Sequence, residues 1–259
     1  MKATVTNQET SPKYELTDES IKGNDKELKR TITLYRIRAL RDFADVKAGD
    51  LGGFIEKEKN LSHDGNCWVY DDAMVATDSV VSDNAQVRNN ARVFRSAKVS
   101  DNAVILDNAL VFHNGKVYDN AKICDNAMVN GTVSGNAVVC NNAKLFFIAF
   151  VSDNAKVYDD ACVNGKVYGN ARVYGNAMIY GHAKVFDDAC VYGRASITEY
   201  VKVFGKARVY DNATVYRKPR TDGWVDHTYV NIYGNAVING NQKIYKDTDG
   251  SEEILDKTA

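Results

Sequence analysis

The sequence lacks any apolar run near the roughly 18 residues that span a bilayer, and its start, MKATVTNQETSPKYELTDES, has no apolar centre of a secretion signal. A cytoplasmic protein is expected. Histidine is scarce: His63, His113, His182 and His227 are scattered, with no close pair to start a zinc centre. No metal site is expected. The five cysteines (Cys67, Cys124, Cys140, Cys162, Cys190) are odd in number and include no CxxC, which argues against a disulfide framework and a zinc knuckle. They read as reduced thiols, with Cys124 and Cys140 expected to stack on adjacent coils as packing residues. Excess charge is missing too: 33 Lys and Arg against 34 Asp and Glu leave a net charge of -1, so no global basic field draws nucleic acid or anionic lipid. With only two prolines among 259 residues and heavy use of Asn, Asp, Gly and Tyr, the chain favours β structure with many tight corners.

What the sequence has is a repeat. From Trp68 onward the pattern Val-x-Asp/Gly-Asn-Ala-x recurs every six residues, as in VSDNAQ, VRNNAR, VYDNAK and VYGNAM. The anchors run Val69, Val75, Val81, Val87, Val93, Val99, Ile105 and onward. Ala and the next Val are two apart, so on a strand both face one side, the core. Between them Asp or Gly, then Asn, tolerate the positive φ of a corner. Each hexad is one short strand and one corner. Three hexads close a triangular coil, and stacked coils complete each other's hydrogen bonds at about 4.8 Å spacing.

These Ala-x-Val hexads resemble the hexapeptide-repeat superfamily of left-handed parallel β-helices, over roughly residues 66–246. The resemblance implies an all-β triangular solenoid and a homotrimer; in the superfamily's acyltransferases it implies a histidine base beside an acyl-carrier groove between subunits. LYRIRALRDF and AGDLGGFIEKEKNLSHDGNCWVYDDA further resemble the leading segment of uncharacterised hexapeptide proteins of phages, prophages and bacteria, some labelled transferases. The expected organisation is a mobile polar tail over 1–28, a cap over 29–65, the β-helix over 66–246 with an inserted loop at 216–229, and a tail over 247–259. In the cap, Ile32, Leu34, Ile37 and Leu40 alternate with basic residues and would close the first coil with Leu51–Ile55.

Counting anchors in threes assigns each hexad to a face. The first carries Trp68, Tyr70, Arg88 and later a Tyr column interleaved with Arg172 and Arg208; the third carries a lysine ladder, Lys98, Lys116, Lys166, Lys184 and Lys202. The second is apolar, with Met74, Leu110, Phe112, Met128, Phe146, Met178 and Tyr180, and is the expected self-association face. The exceptions gather at one corner. Anchor spacing shortens from six to four at Val129–Val133 and Val163–Val167, LFFIAF (145–150) turns the same corner between them, and the inserted loop leaves from it. Arg95, His113 and His182 lie there as well. Function is expected at this edge, because irregular loops on a rigid scaffold carry it.

Candidate chemistry is sparse. His113 and His182 are the candidate bases, but they stand about four coils or roughly 19 Å apart and cannot share one site within a subunit. His63 is expected to be structural. The Asp-rich corners offer one carboxylate and one amide each, too few oxygens for calcium. In the inserted loop Arg217, Lys218, Arg220, Trp224 and His227 could hold an anion, with guanidinium on phosphate or carboxylate and Trp on a base or sugar. With Phe146, Phe147 and Ile148 they form the expected ligand or partner site. The first reading is a non-enzymatic binding protein, phage-encoded by resemblance, acting through its edge on a host macromolecule or small anionic metabolite, with no cofactor. The alternatives are an acyltransferase using CoA or another acyl carrier, and a structural or virion component.

Overall fold

A computed structural model describes residues 12–25, 30–218 and 228–250. Within them the chain is a β-solenoid. Three sheets of thirteen, ten and nine strands run its length, and within each sheet neighbours come from consecutive coils. From Trp68 the strands are mostly two residues long and pair in parallel and in register, as in Val87 with Ile105 with Ile123. The usual coil is 18 residues; the pairings Ile123 with Val139 and Val157 with Val173 advance 16. The missing residues therefore leave strand register intact.

The core follows the pattern. The Val and Ile anchors and the Ala two positions before them are buried from end to end, while the flanking positions are half-buried or exposed. Ala fills this position in most coils, and Cys67 and Val201 occupy it, equally buried, where the repeat varies. The residue before Asn takes the left-handed conformation at corner after corner, for example Asp83, Asp101 and Asp119 at φ 56–58. At the corner leading into the first face an asparagine column links coils, with Asn84 donating to Asn102, Asn102 to Asn120 and Asn120 to Asn136 at 3.1–3.2 Å.

The ends differ from expectation. Residues 14–25, assigned to a polar tail, form strand β1 (Tyr14–Asp25), which pairs antiparallel with β2 (Arg30–Ala39). β2 pairs antiparallel with β3 (Leu51–Ile55), and β3 joins the second face through Phe54–Met74 and Ile55–Val75. The polar side chains of β1 misled the tail assignment: one face of this strand is solvated, and cross-strand pairs such as Glu15–Arg38 replace apolar burial. Residues 1–11 and 251–259 lie outside the described residues. Leu40, expected in the cap's apolar set, is 43% exposed, whereas Ile32, Leu34 and Ile37 are buried. At the far end Thr248, placed in a tail, bridges to Ile232 and donates its N–H to Asn231 O at 2.9 Å, closing the last coil on the third face.

Trp68, expected to face outward on the first face, is 1% exposed. The cap covers it: the Phe43 ring stands edge-on at 5.3 Å and Tyr14 at 6.1 Å. Gly52 permits this approach, since a Cβ there would lie 2.6 Å from the indole. Beside it Lys13 is fully buried, its Nζ donating to Cys67 O at 2.9 Å and lying 3.2 Å from Cys67 Sγ. Burial pulls the ammonium down and the thiol up from their ordinary ranges. His63 is structural, its Nδ1 accepting from Lys13 N–H at 3.1 Å and its ring stacked on Tyr14. Trp68→Ala should cost about 3–5 kcal/mol by cavity formation under the cap, read as a lowered urea midpoint; an unchanged midpoint would mean that the cap does not staple the first coil.

Candidate functional site

The edge between the second and third faces departs from the other two. Its left-handed position is filled by Thr77, Arg95, His113 and Glu199 at φ 53–60, with Gly181 in one coil, instead of the usual Asp, Asn or Gly. A side chain without a short polar group pays roughly 1–2 kcal/mol in that region. The strain is concentrated on this one edge.

Two notches cut this edge. At Asn130–Gly131 and Asn164–Gly165 the chain crosses directly between faces. Only glycine fits: a Cβ on Gly131 would lie 2.6 Å from Ala149 O, and one on Gly165 2.7 Å from Ala183 O. Between the notches Phe146, Phe147 and Ile148 project, 42%, 69% and 46% exposed. Phe147 does not adopt the left-handed φ; this corner takes another turn, and Asn164 Oδ1 accepts the N–H of Ile148 at 3.2 Å. On the opposite side Asn130 Oδ1 is buried with no hydrogen-bond partner among the described residues.

Toward the C-terminal coils the same edge becomes cationic and aromatic. His182 stacks on Tyr200 with ring centroids 4.6 Å apart. The Arg217 guanidinium lies 5.0 Å from the Tyr200 centroid, and Tyr229 meets Tyr200 edge-on at 5.5 Å. Lys202 and Lys184 place Nζ 4.5 and 5.0 Å from the Tyr229 ring. Arg217 Nη1 is buried and has no hydrogen-bond partner among the described residues.

The structure thus joins His182 to Arg217, two of the expected site residues, through a tyrosine that sequence reading passed over. Lys218 is exposed and faces Tyr245 instead, with Nζ 5.5 Å from the ring. Arg220, Trp224 and His227 lie outside the described residues. His113 is in a separate coil against Phe112, ring centroids 4.9 Å apart. Tyr200 had a signal: in ITEYVKV the pair Tyr200-Val201 stands where other hexads carry Asn-Ala. Lys184 and Lys202 were visible as a ladder, without their partner Tyr229.

Of the expected self-association face, Leu110, Phe112, Met128 and Tyr180 are half-buried on the flanks of their anchors, and Met178 is 36% exposed. Met74 is spent within the chain, packed against the Ile32, Leu34 and Phe54 cluster of the cap. On the first face Tyr158, Tyr174, Tyr192 and Tyr210 stack at 4.8–4.9 Å, so their ring faces contact one another and only edges meet solvent. In the same column Cys124 and Cys140 stand on adjacent coils, and their sulfurs lie with an Asp125 carboxylate oxygen within 4.8 Å of one another. Burial pushes the Cys124 thiol up to about 12 and raises that of Cys140. No helix among the described residues is long and apolar enough to cross a membrane.

Comparison with known proteins agrees with this architecture. The family model described as YdcK Beta solenoid repeat matches residues 166–181, 171–185 and 207–218. A relative, the "Uncharacterized acetyltransferase YdcK" of Escherichia coli (strain K12), is 41% identical over 66 residues, which is 25% of this chain and 20% of the relative. The match therefore spans about a fifth of the relative's length. Both fit a hexapeptide-repeat β-helix. These comparisons offer no support for a phage role.

Two outcomes test these assignments. His113→Gly, relieving a left-handed side chain, should raise unfolding free energy by up to about 1 kcal/mol, the side-chain strain outweighing glycine's larger unfolded-state entropy; destabilisation in urea titrations would place this side chain in structural contacts. Because Cys124 holds its proton more firmly when folded, its stabilising contribution is complete below the unfolded thiol pKa of about 8.5 and is lost as pH rises toward about 12. The fall in urea midpoint between pH 8 and pH 10 should therefore be shallower in Cys124→Ser than in the parent.

Proposed function

We propose that the chain binds the phosphate-bearing end of an acyl donor at the C-terminal part of the irregular edge and transfers its acyl group to a hydroxyl or amine. The observation that carries this reading is Arg217 Nη1, buried and without a hydrogen-bond partner among the described residues, beside the His182–Tyr200 stack. A guanidinium in that state gains most from an anion with paired oxygens, and phosphate supplies them. Lys184 and Lys202 add positive charge beside the Tyr229 ring. The relative's name supports acetyl transfer as the class of reaction.

In this reading His182, exposed at the corner, accepts a proton from the acceptor's hydroxyl or amine as the oxygen or nitrogen attacks the thioester carbonyl. The carbon–sulfur bond then breaks and the thiolate leaves, taking a proton. CoA is the donor we infer, and a homotrimer built through the second face would bring a neighbouring chain's surface toward the edge. A second reading rests on a different observation, the projecting Phe146–Ile148 knuckle: 69% exposure of Phe147 suits a non-enzymatic contact with a partner protein.

Calorimetric titration with CoA and acetyl-CoA tests the first reading. Arg217→Ala should weaken binding by about ten- to a hundredfold, the worth of a charged hydrogen bond of 1.5–3 kcal/mol. His182→Asn should leave binding within about threefold and remove turnover of at least about a hundredfold. Equal affinity in the Arg217 variant, or no CoA binding to the parent protein, rejects the donor assignment.

A further inference from the structure

The first face carries a cluster that the acyl-transfer reading does not use. Its outward column reads Leu106, Cys124, Cys140, Tyr158 on successive coils, so two thiols interrupt a run of bulky side chains. Strand register puts them one above the other: Lys122 pairs with Val138 and Ile123 with Val139, and Cys124 N–H donates to Val139 O at 3.0 Å. Asp125 follows at the corner in the left-handed conformation, φ 56. Its Oδ2 accepts the backbone N–H of Asn141 at 2.8 Å and the Asn141 side-chain amide at 2.9 Å. That fixes the carboxylate from the neighbouring coil.

We propose that Cys124, Cys140 and Asp125 form a binding site for one thiophilic divalent ion of the zinc and cadmium class. The three ligand atoms lie within 4.8 Å of one another. One ion can reach all of them, since a metal–thiolate bond is about 2.3 Å and a metal–carboxylate bond about 2.0–2.2 Å. Two sulfurs and one oxygen select a soft or borderline d10 ion over magnesium or calcium, which want six or more oxygens. Loading releases two thiol protons to the buffer, forms two metal–sulfur bonds and one metal–oxygen bond, and leaves a fourth position for water. Two thiolates and a carboxylate on a dication carry one net negative charge, and Lys122 is the nearby cation. The ion would tie one coil to the next at the shortened 16-residue step.

The test is titration of the reduced full-length protein with cadmium chloride, followed by the thiolate-to-cadmium absorption in the ultraviolet. One equivalent should develop the band. Cys124→Ser and Cys140→Ser should each lower affinity more than about a hundredfold and Asp125→Asn about tenfold. Cys162→Ser and Cys190→Ser should leave it unchanged. No band in the parent protein, or a band that survives in the Cys124→Ser/Cys140→Ser double variant, overturns the site. If the serine variants fail to fold, alkylation of the parent protein by iodoacetamide decides: cadmium should protect Cys124 and Cys140 but not Cys162 and Cys190. Equal alkylation with and without cadmium overturns it too.

Discussion

Everything in this solenoid depends on one constraint, that backbone N–H and C=O groups on each strand must pair with the coil above and the coil below. The bonds repeat with little variation: Val104 N–H to Ala121 O at 3.0 Å, Lys122 to Ala137 at 2.9 Å, Val138 to Ala155 at 3.0 Å. A change in chain length is tolerated only where these pairings are untouched. The two 16-residue steps meet that condition because each deletion falls in a corner, between Val129 and Val133 or between Val163 and Val167, while the strands on either side keep register.

The same constraint explains why variety collects at an edge. Faces are fixed by pairing and by buried core side chains, so a face position varies most readily outward. At two edges the corner backbone also bonds the next coil, as in Asn84 N–H to Asp101 O and Asn90 N–H to Asp107 O at 2.8 Å, and the edge between the second and third faces departs most from that pattern. There the sequence spends conformational strain on Arg95 and His113, inserts the Phe146–Ile148 knuckle between two glycine notches, and builds the His182–Tyr200–Arg217 stack. Stacking across coils at this edge needs no new backbone geometry, since rings on neighbouring coils already stand near the separation at which they touch.

A ladder of hydrogen bonds has two open ends, and each end is covered differently. The first coil receives an antiparallel meander, β1 to β3, which continues the second face and drops Phe43 and Tyr14 onto Trp68. Among the described residues the last receives a short return at Asp247 and Thr248. Lys13, buried against Cys67, shows how far the first cap encloses polar groups once their partners are carbonyls of the coil itself.

The six-residue period, the Ala and Val core, the left-handed corners, the three faces and the shared corner of both deletions were all determined by sequence alone, because each is a short-range consequence of side-chain alternation and corner stereochemistry repeated many times. Even the stacking of Cys124 on Cys140 follows from counting. The tertiary structure decided what depends on single, non-repeating contacts. It turned residues 14–25 from tail into strand, turned Trp68 inward under the cap, and withdrew Met74 from the solvent face. It also brought Tyr229 to Tyr200 across an insertion and Asp125 to two thiols on different coils. Such contacts join residues whose spacing carries no period, so their partners emerge only when the coils are stacked.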